Sequence, residues 1–362
     1  MIEFLNTHSR QVRIGLIIAG VLIILLLLIS LPMTLLQSSI RLATPYVLGS
    51  LAALLASRAG VLNLAIEGKM LLGAFVAVVT VYQPGVLPGQ GRDPILGVLV
   101  AALFGGGLGL IFAVLYLRIR INLVILALAV NLFVANATVF FMRVQFGAFG
   151  TLADPSIRSL STLQLPIIHN VPFVGPLLSG YQILVYLSWV MVVLVWVLLF
   201  RTQFGRHIRA VGENREAAES VGINVTRVQI FALTLSGMLA GMAGAFLSLG
   251  VLSQFVENMV NGRGWTSITI SLFAFEQPVG AFFTALFFGL AEALSFYLQS
   301  RPEVNLPPDL LLALPQIATI TALVLVALRI RTAELMKRRT FAQQFGHELD
   351  KLRRGVLAGG QD

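Results

Sequence analysis

The feature that most constrains this chain is the recurrence of apolar runs long enough to cross a bilayer. A hydrocarbon core about 30 Å thick takes roughly 20 helical residues to span. Candidate spans are Ile14–Leu31, Leu42–Ala56, Met70–Tyr82, Ile95–Leu117, Ile121–Met142, Tyr181–Phe200, Val228–Gly250, Trp265–Phe275, Val279–Leu298 and Leu310–Leu328. Backbone groups in lipid have to be satisfied within the segment, so the expected fold class is all-α, a polytopic membrane protein of about ten transmembrane helices. The second and third runs are short, which suggests tilting, burial against neighbours or a broken helix, and the eighth is short as well. Ile14–Leu31 is too long for a typical signal-peptide core and no clear cleavage site follows it, so it reads as a signal anchor.

Charged residues make up only 11% of the chain, against roughly 25% in an ordinary soluble domain. There are no cysteines, which excludes disulfides, thiol chemistry and Cys-based metal sites. His8, His169, His207 and His347 are scattered and make no HExxH pair. The net charge of +9 is explained by topology, and no nucleic-acid partner is expected. Ten spans put both ends on one side. Of the 25 Lys and Arg, only Arg41, Arg92, Arg143, Arg158, Arg263 and Arg301 then fall on the other side. That bias predicts cytoplasmic N- and C-termini. Residues 1–335 read as the membrane domain and 336–362 as a cytoplasmic tail.

Arg201–Arg227 is the longest clearly polar segment between two long apolar runs. Gly205 and Gly212 punctuate its first half, and its second half reads as a short helix. Asn214 can cap that helix, Glu216 suits the positive end of its dipole, and Gly222 can stop it. Ala217, Ala218 and Val221 fall at helical spacing on one face, beside Arg215 and Glu219 four apart on another. A small apolar face with a charged flank suits docking into another protein's groove. The plainer alternative is a solvated connection.

Small residues Gly237, Gly241 and Gly244 recur in the seventh span, where they let helices approach closely. Polar groups inside spans are costly and mark candidates for a substrate path: Asn131 and Asn136 in the fifth span, and Asn63 and Glu67 between the second and third. Glu292 lies in the ninth. For each Asn the alternative is an interhelical hydrogen bond, and for Glu67 a helix-start position. Glu276, beside Pro278, reads as a loop residue. The nearest approach to a phosphate loop, Asn63–Met70 (NLAIEGKM), lacks the leading Gly and the final Ser or Thr. Any ATP-driven function therefore needs an engine in another chain.

Thr44-Pro45 and then Arg58–Phe75, RAGVLNLAIEGKMLLGAF, resemble the permeases of ABC importers for nucleosides and simple sugars. The match continues in FGRHIRAVGENREAAESVGINVTR and in SGMLAGMAGAFLSLG, and ends weakly at Gly262-Arg263-Gly264 and Gln277-Pro278-Val279-Gly280. Together these cover roughly residues 40–300, and the form after the second span looks most like the nucleoside branch. Arg215 stands where the family usually has Pro, and Phe275-Glu276 replaces a commoner Gly-Arg-Trp-like run.

The resemblance implies a bacterial-type inner-membrane permease working by alternating access with a second, similar permease. It also implies ABC ATPase chains that bind ATP and Mg, so that this chain carries no cofactor, and an extracytoplasmic substrate-binding protein received in part by Arg143–Gly180. Glu213, Asn214, Glu216, Ala217, Ala218, Val221 and Gly222 would form the helix that couples to the ATPase. A rival reading is an ion-coupled secondary transporter using Glu67 and Glu292. A membrane enzyme would need a nucleophile–base or metal-ligand set, and none is recognisable.

Overall fold

The computed structural model describes residues 31–86, 91–164 and 174–301, together with 307, 310, 311, 313–317, 320 and 324. The chain divides into two compact units, Met1–Leu314 and Pro315–Asp362. Only residues 315–317, 320 and 324 of the second are described. The expected first span lies outside the described residues, as does most of the tenth.

Within the first unit, each expected span from the second to the ninth is a helix. The first long one, α1 (Met33–Arg58), is 26 residues long and starts well before the expected Leu42. Thr34, Gln37, Ser38, Ser39 and Arg41 lower the hydropathy of its first turns, but they do not break the helix. Ser39 Oγ returns its hydroxyl to Leu35 O at 2.7 Å, and Thr44 Oγ1 reaches Ile40 O at 3.2 Å beside Pro45. Hydroxyls can be carried inside a span by such local bonds.

Next come α2 (Ile66–Val81), α3 (Pro94–Leu117), α4 (Leu123–Phe146) and the short α5 (Val174–Leu178). Asp93 caps α3 through the Ile95 amide and Pro94 fills its first position, while Asn122 caps α4 and Gly147 ends it at φ 62°. They are followed by α6 (Ile183–Arg201), α7 (Gln203–Glu213), α8 (Arg215–Ser220) and α9 (Val225–Ala245). A π-helical stretch, Phe246–Leu252, extends α9, and α10 (Arg263–Phe273) and α11 (Pro278–Gln299) complete the described helices. Counting α9 with its π extension, six of these helices are long and apolar enough to cross a membrane. The short α2 and α10 are not among them; α2 is mostly buried in the bundle, whereas α10 buries one face and leaves Trp265 and Leu272 exposed.

The centre of the unit is α9, which packs against α3, α2 and α1. Its glycines lie where it meets the first two. A Cβ on Gly237 would overlap the Gly105 carbonyl, one on Gly241 the Ala101 carbonyl, and one on Gly244 the Met70 carbonyl. From the other side, Gly73 faces the Gly241 carbonyl and Gly105 the Gly237 carbonyl as closely. Lipid supplies no hydrophobic drive between helices, so close backbone approach has to provide the attraction.

The loop Gly147–Gly180 forms two minimal antiparallel pairings. Thr151–Leu152 (β1) pairs with Phe255–Val256 (β4), and Thr162–Leu163 (β2) with Tyr181–Gln182 (β3). Leu160 N donates to Leu249 O at 3.1 Å and Gln182 Nε2 to Gly250 O at 2.5 Å. These donors take up carbonyls in the π stretch, whose wider turn disturbs the regular ladder.

Replacing Gly241 with Leu should overpack two helix contacts at once and cost about 1–3 kcal/mol or more. Thermal unfolding in detergent checks this, and an unchanged midpoint would contradict the packing described.

Candidate functional site

The two short helices meet end to end. The end of α1 turns at Ala59-Gly60, with Gly60 at φ 77°, and the segment Val61–Ala65 runs back into the bundle before α2 begins. From the opposite face of the unit, the chain returns after the π stretch and starts α10 at Arg263. Eleven helical residues rise about 16 Å, roughly half the hydrocarbon thickness. Since α10 finishes beside Arg58 at the end of α1, its N-terminus lies deep inside.

Glu67, in the first turn of α2, joins the two starts. One carboxylate oxygen accepts from the Gly262 amide at 2.8 Å and the other from the Gly264 amide at 2.7 Å. A Cβ on Gly264 would come within 2.6 Å of Glu67 Oε2 and of its backbone, so only glycine permits this approach. One negative group thus sits at the positive ends of two helices, where otherwise unpaired amides need an acceptor.

Beside it, Arg263 ion-pairs with Glu292, which is only 5% exposed. Arg263 Nη1 donates to the carbonyls of Met259 and Val260 at 3.1 and 3.2 Å, and Tyr46 lies against both members of the pair. Removing one partner of such a pair leaves a buried charge uncompensated.

A second cluster fixes the returning segment. Asn63 Oδ1 accepts from Lys69 Nζ at 3.0 Å and from the Ala65 amide at 3.2 Å, and its Nδ2 donates to Ser236 Oγ at 3.0 Å. Ser236 Oγ in turn donates to Ala52 O at 2.6 Å. Lys69 is not the cytoplasmic-side charge its place in the sequence suggests. It is 0% exposed, with its ammonium 4.3 Å from the Phe112 ring centre, and a cation over an aromatic face is attracted by its quadrupole.

Asn131 reaches across from α4 to donate to Leu64 O at 3.0 Å and accept from Gly68 N at 2.8 Å. Asn63, Glu67 and Asn131 are therefore brought together. Asn136 is not among them. It is exposed and bonds back to Leu132 O of its own helix at 2.8 Å.

The α7–α8 pair sits at the Arg58 end. The first half of this segment is not a glycine-broken loop. Thr202 caps α7 through the Gly205 amide at 3.0 Å, and Ile208 and Val211 are buried. Gly205 and Gly212 serve close approach instead, since a Cβ on Gly212 would overlap the Arg58 carbonyl. Asn214 caps α8 through Ala217 N at 3.0 Å, with Glu213 and Glu216 exposed. Gly222 ends α8 at φ 84°, its amide bonded to Glu219 O while the Ile223 amide bonds to Ala218 O, both at 3.0 Å. The three apolar residues separate: Ala218 is buried, whereas Ala217 and Val221 are exposed, Val221 at 74%.

Residues 35–328 match the family described as branched-chain amino acid transport system / permease component. The chain belongs to that family. It is 30% identical over 285 residues to the guanosine ABC transporter permease protein NupQ of Bacillus subtilis, covering 78% of this chain and 88% of that one. It is 29% identical to the nucleoside ABC transporter permease protein NupC of Lactococcus lactis, covering 78% and 89%. A protein of Haloferax volcanii provisionally named a glucose ABC transporter permease is 30% identical, over 87% of this chain and 98% of its own. No solved structure matches.

In this permease, sequence reasoning missed Lys69, Ser236, Tyr46 and Arg263 as members of the buried clusters. Arg263 was assigned to the outer side, yet its side chain is only 18% exposed. The signal was present in Gly262-Arg263-Gly264, two glycines around a charge just before a short apolar run.

Glu67→Gln should destabilise the permease by about 1.5–3 kcal/mol, because two amides lose a charged acceptor. A melting curve in detergent that matches the wild type would contradict this. Asn131→Ala leaves Leu64 O and Gly68 N unpaired and should cost about 1–3 kcal/mol, while Asn136→Ala should stay within about 0.5 kcal/mol. Equal effects in the same assay would remove the distinction drawn between them.

Proposed function

We propose that this permease is the membrane subunit of an ATP-driven ABC importer that moves nucleosides by alternating access. The observation that carries this reading is its similarity, over most of its length, to guanosine and nucleoside ABC transporter permeases. The pairing of NupP with NupQ, and of NupB with NupC, as matches of this one chain supports a second, similar permease as partner. ATP and Mg would be bound by ATPase chains, so this chain is not itself an enzyme and needs no cofactor. A substrate-binding protein would meet the loop that carries the paired strands. Both termini, and the 336–362 tail, would lie in the cytoplasm of a bacterial-type inner membrane, with residues 1–335 as the membrane domain.

The coupling site would be α8 and its flanks, Glu213, Asn214, Glu216, Ala217, Ala218, Val221 and Gly222. Its support is physical. The helix is capped at both ends, anchored by Ala218, and turns Ala217 and Val221 outward beside exposed carboxylates. Asn63, Glu67 and Asn131 would shape the substrate path from behind, through the segments they fix, whereas Asn136 would bear on it only from another face.

Transport of a simple sugar is the second reading, favoured by the Haloferax relative. The ion-coupled alternative draws less support. Both oxygens of Glu67 accept backbone amides and Glu292 is paired with Arg263.

Uptake of labelled guanosine and labelled ribose, with ATP and the proton gradient depleted separately, tests the reading. Guanosine uptake lost on ATP depletion alone is expected. Ribose uptake in its place moves the chain to sugars, and dependence on the gradient alone overturns the ABC reading. Ala217→Arg or Val221→Asp should leave the chain in the membrane and lower ATP-driven uptake at least tenfold, about 1.4 kcal/mol of lost coupling. Wild-type uptake in both variants would end the docking role of α8.

A further inference from the structure

Thr34, Ser38 and Arg41 lie on one face of α1 at helical spacing. In a helix that crosses lipid, such a stripe belongs against water or protein. It lines two adjoining open cavities of one cleft, one of about 440 Å³ between α1, Val251 and α11 and one of about 470 Å³ between α1 and the β2–β3 pair, and a third of about 480 Å³ continues the first. Thr34, Ser38 and Arg41 are shared by the first two, and Leu42, Val251 and Phe296 link the first to the third. That third cavity, bordered by Val256 of β4, carries Asn258, Asn261 and Arg263.

The groups that line this third cavity divide in two. Arg263 is already committed to Glu292 and two carbonyls. Asn258 and Asn261 are exposed, and among the described residues neither side-chain amide makes a hydrogen bond. Both hold left-handed backbone, φ 56° and 46°, a turn conformation that asparagine adopts more readily than most residues. Here the fixed start of α10 enforces it: the Gly262 amide is bound by Glu67, and Asn261 N bonds to Asn258 O at 3.0 Å. Phe296 presents a half-exposed ring to both the first and third cavities.

We propose that this cleft is the seat of the transported nucleoside, with Phe296 stacking the base and Asn258 and Asn261 hydrogen-bonding its polar edges or ribose hydroxyls. The inference rests on the nucleoside reading above and adds the residues that select for it. An uncharged ligand with a planar ring and mixed donors and acceptors fits an aromatic platform beside amides, which both donate and accept. Each cavity is of the size that holds such a molecule. A free sugar offers such a ring only its C–H face and has no base edge for the two amides, so the cleft as a whole favours a nucleoside.

The absence of cysteine makes single-cysteine labelling direct. In the complete transporter in membranes, Ser38→Cys and Asn258→Cys should react with a membrane-impermeant methanethiosulfonate added outside. Guanosine should slow both reactions and ribose should not. Phe296→Ala should lower guanosine uptake on the order of tenfold at unchanged abundance in the membrane, and Phe296→Tyr should restore it. If Phe296→Ala does not reach the membrane, the labelling decides alone. Labelling that guanosine does not slow, or reaction only with a lipid-soluble maleimide, overturns the seat while wild-type guanosine uptake leaves the importer reading standing. A wild-type transporter that takes up no guanosine overturns both.

Discussion

A backbone that starts or stops a helix inside a hydrocarbon layer leaves amides that water cannot reach, and each must find an acceptor within the protein. Glu67 meets that demand for α10, while Asn63 and Asn131 take the Ala65 and Gly68 amides at the start of α2. Without the Glu67 carboxylate, the Gly262 and Gly264 amides at the start of α10 would be left unpaired. The cost of burying a charge is offset by helix dipoles and hydrogen bonds rather than by a second side chain. Arg263, one residue further on, is committed to Glu292.

The glycines of α9 are the complement to this arrangement. A broken helix fills less of the bundle than a continuous one, so its neighbours have to come closer to exclude lipid and water. Gly237, Gly241 and Gly244 let α3 and α2 approach to backbone contact. The attraction gained there is dispersion over matched surfaces. It holds a compact scaffold around two short helices that could not cross the membrane by themselves.

Much of this was legible in the sequence, for reasons that differ by residue. Asn214 and Gly222 were readable because capping is local: the residue that needs the bond and the residue that supplies it lie within one turn. The spans were readable because lipid imposes hydrophobicity on nearly every position. Lys69 and Arg263 were misplaced for the same reason, since the rule that sends cations to the interfaces holds only where no buried partner exists. Those partners, Asn63 with Phe112 and Glu292, lie 6, 43 and 29 residues away, two of them on other helices. The start of α1 was placed late because hydropathy averages over a window. It cannot see that Thr34, Ser38 and Arg41 share one face on the helix.

On the importer reading, the same contacts supply a route from the coupling helix to the substrate. α7 rests through Gly212 on the Arg58 carbonyl, and Gln229 holds Ala59 O at 3.0 Å. Arg58 in turn binds Glu276 and the carbonyl of Phe275, at the end of α10. A displacement of α7 and α8 therefore acts on both broken helices near one point, through the returning segment to α2 and through Arg58 to α10. Short helices transmit motion along their axes with little bending, so the two movements converge at Glu67. Whether the starts of α2 and α10 move together or part depends on the two amide bonds to that carboxylate. The residue that makes the broken architecture possible is thus also where motion from the two sides has to be reconciled, bonded on either side of Arg263 in the lining of the cleft.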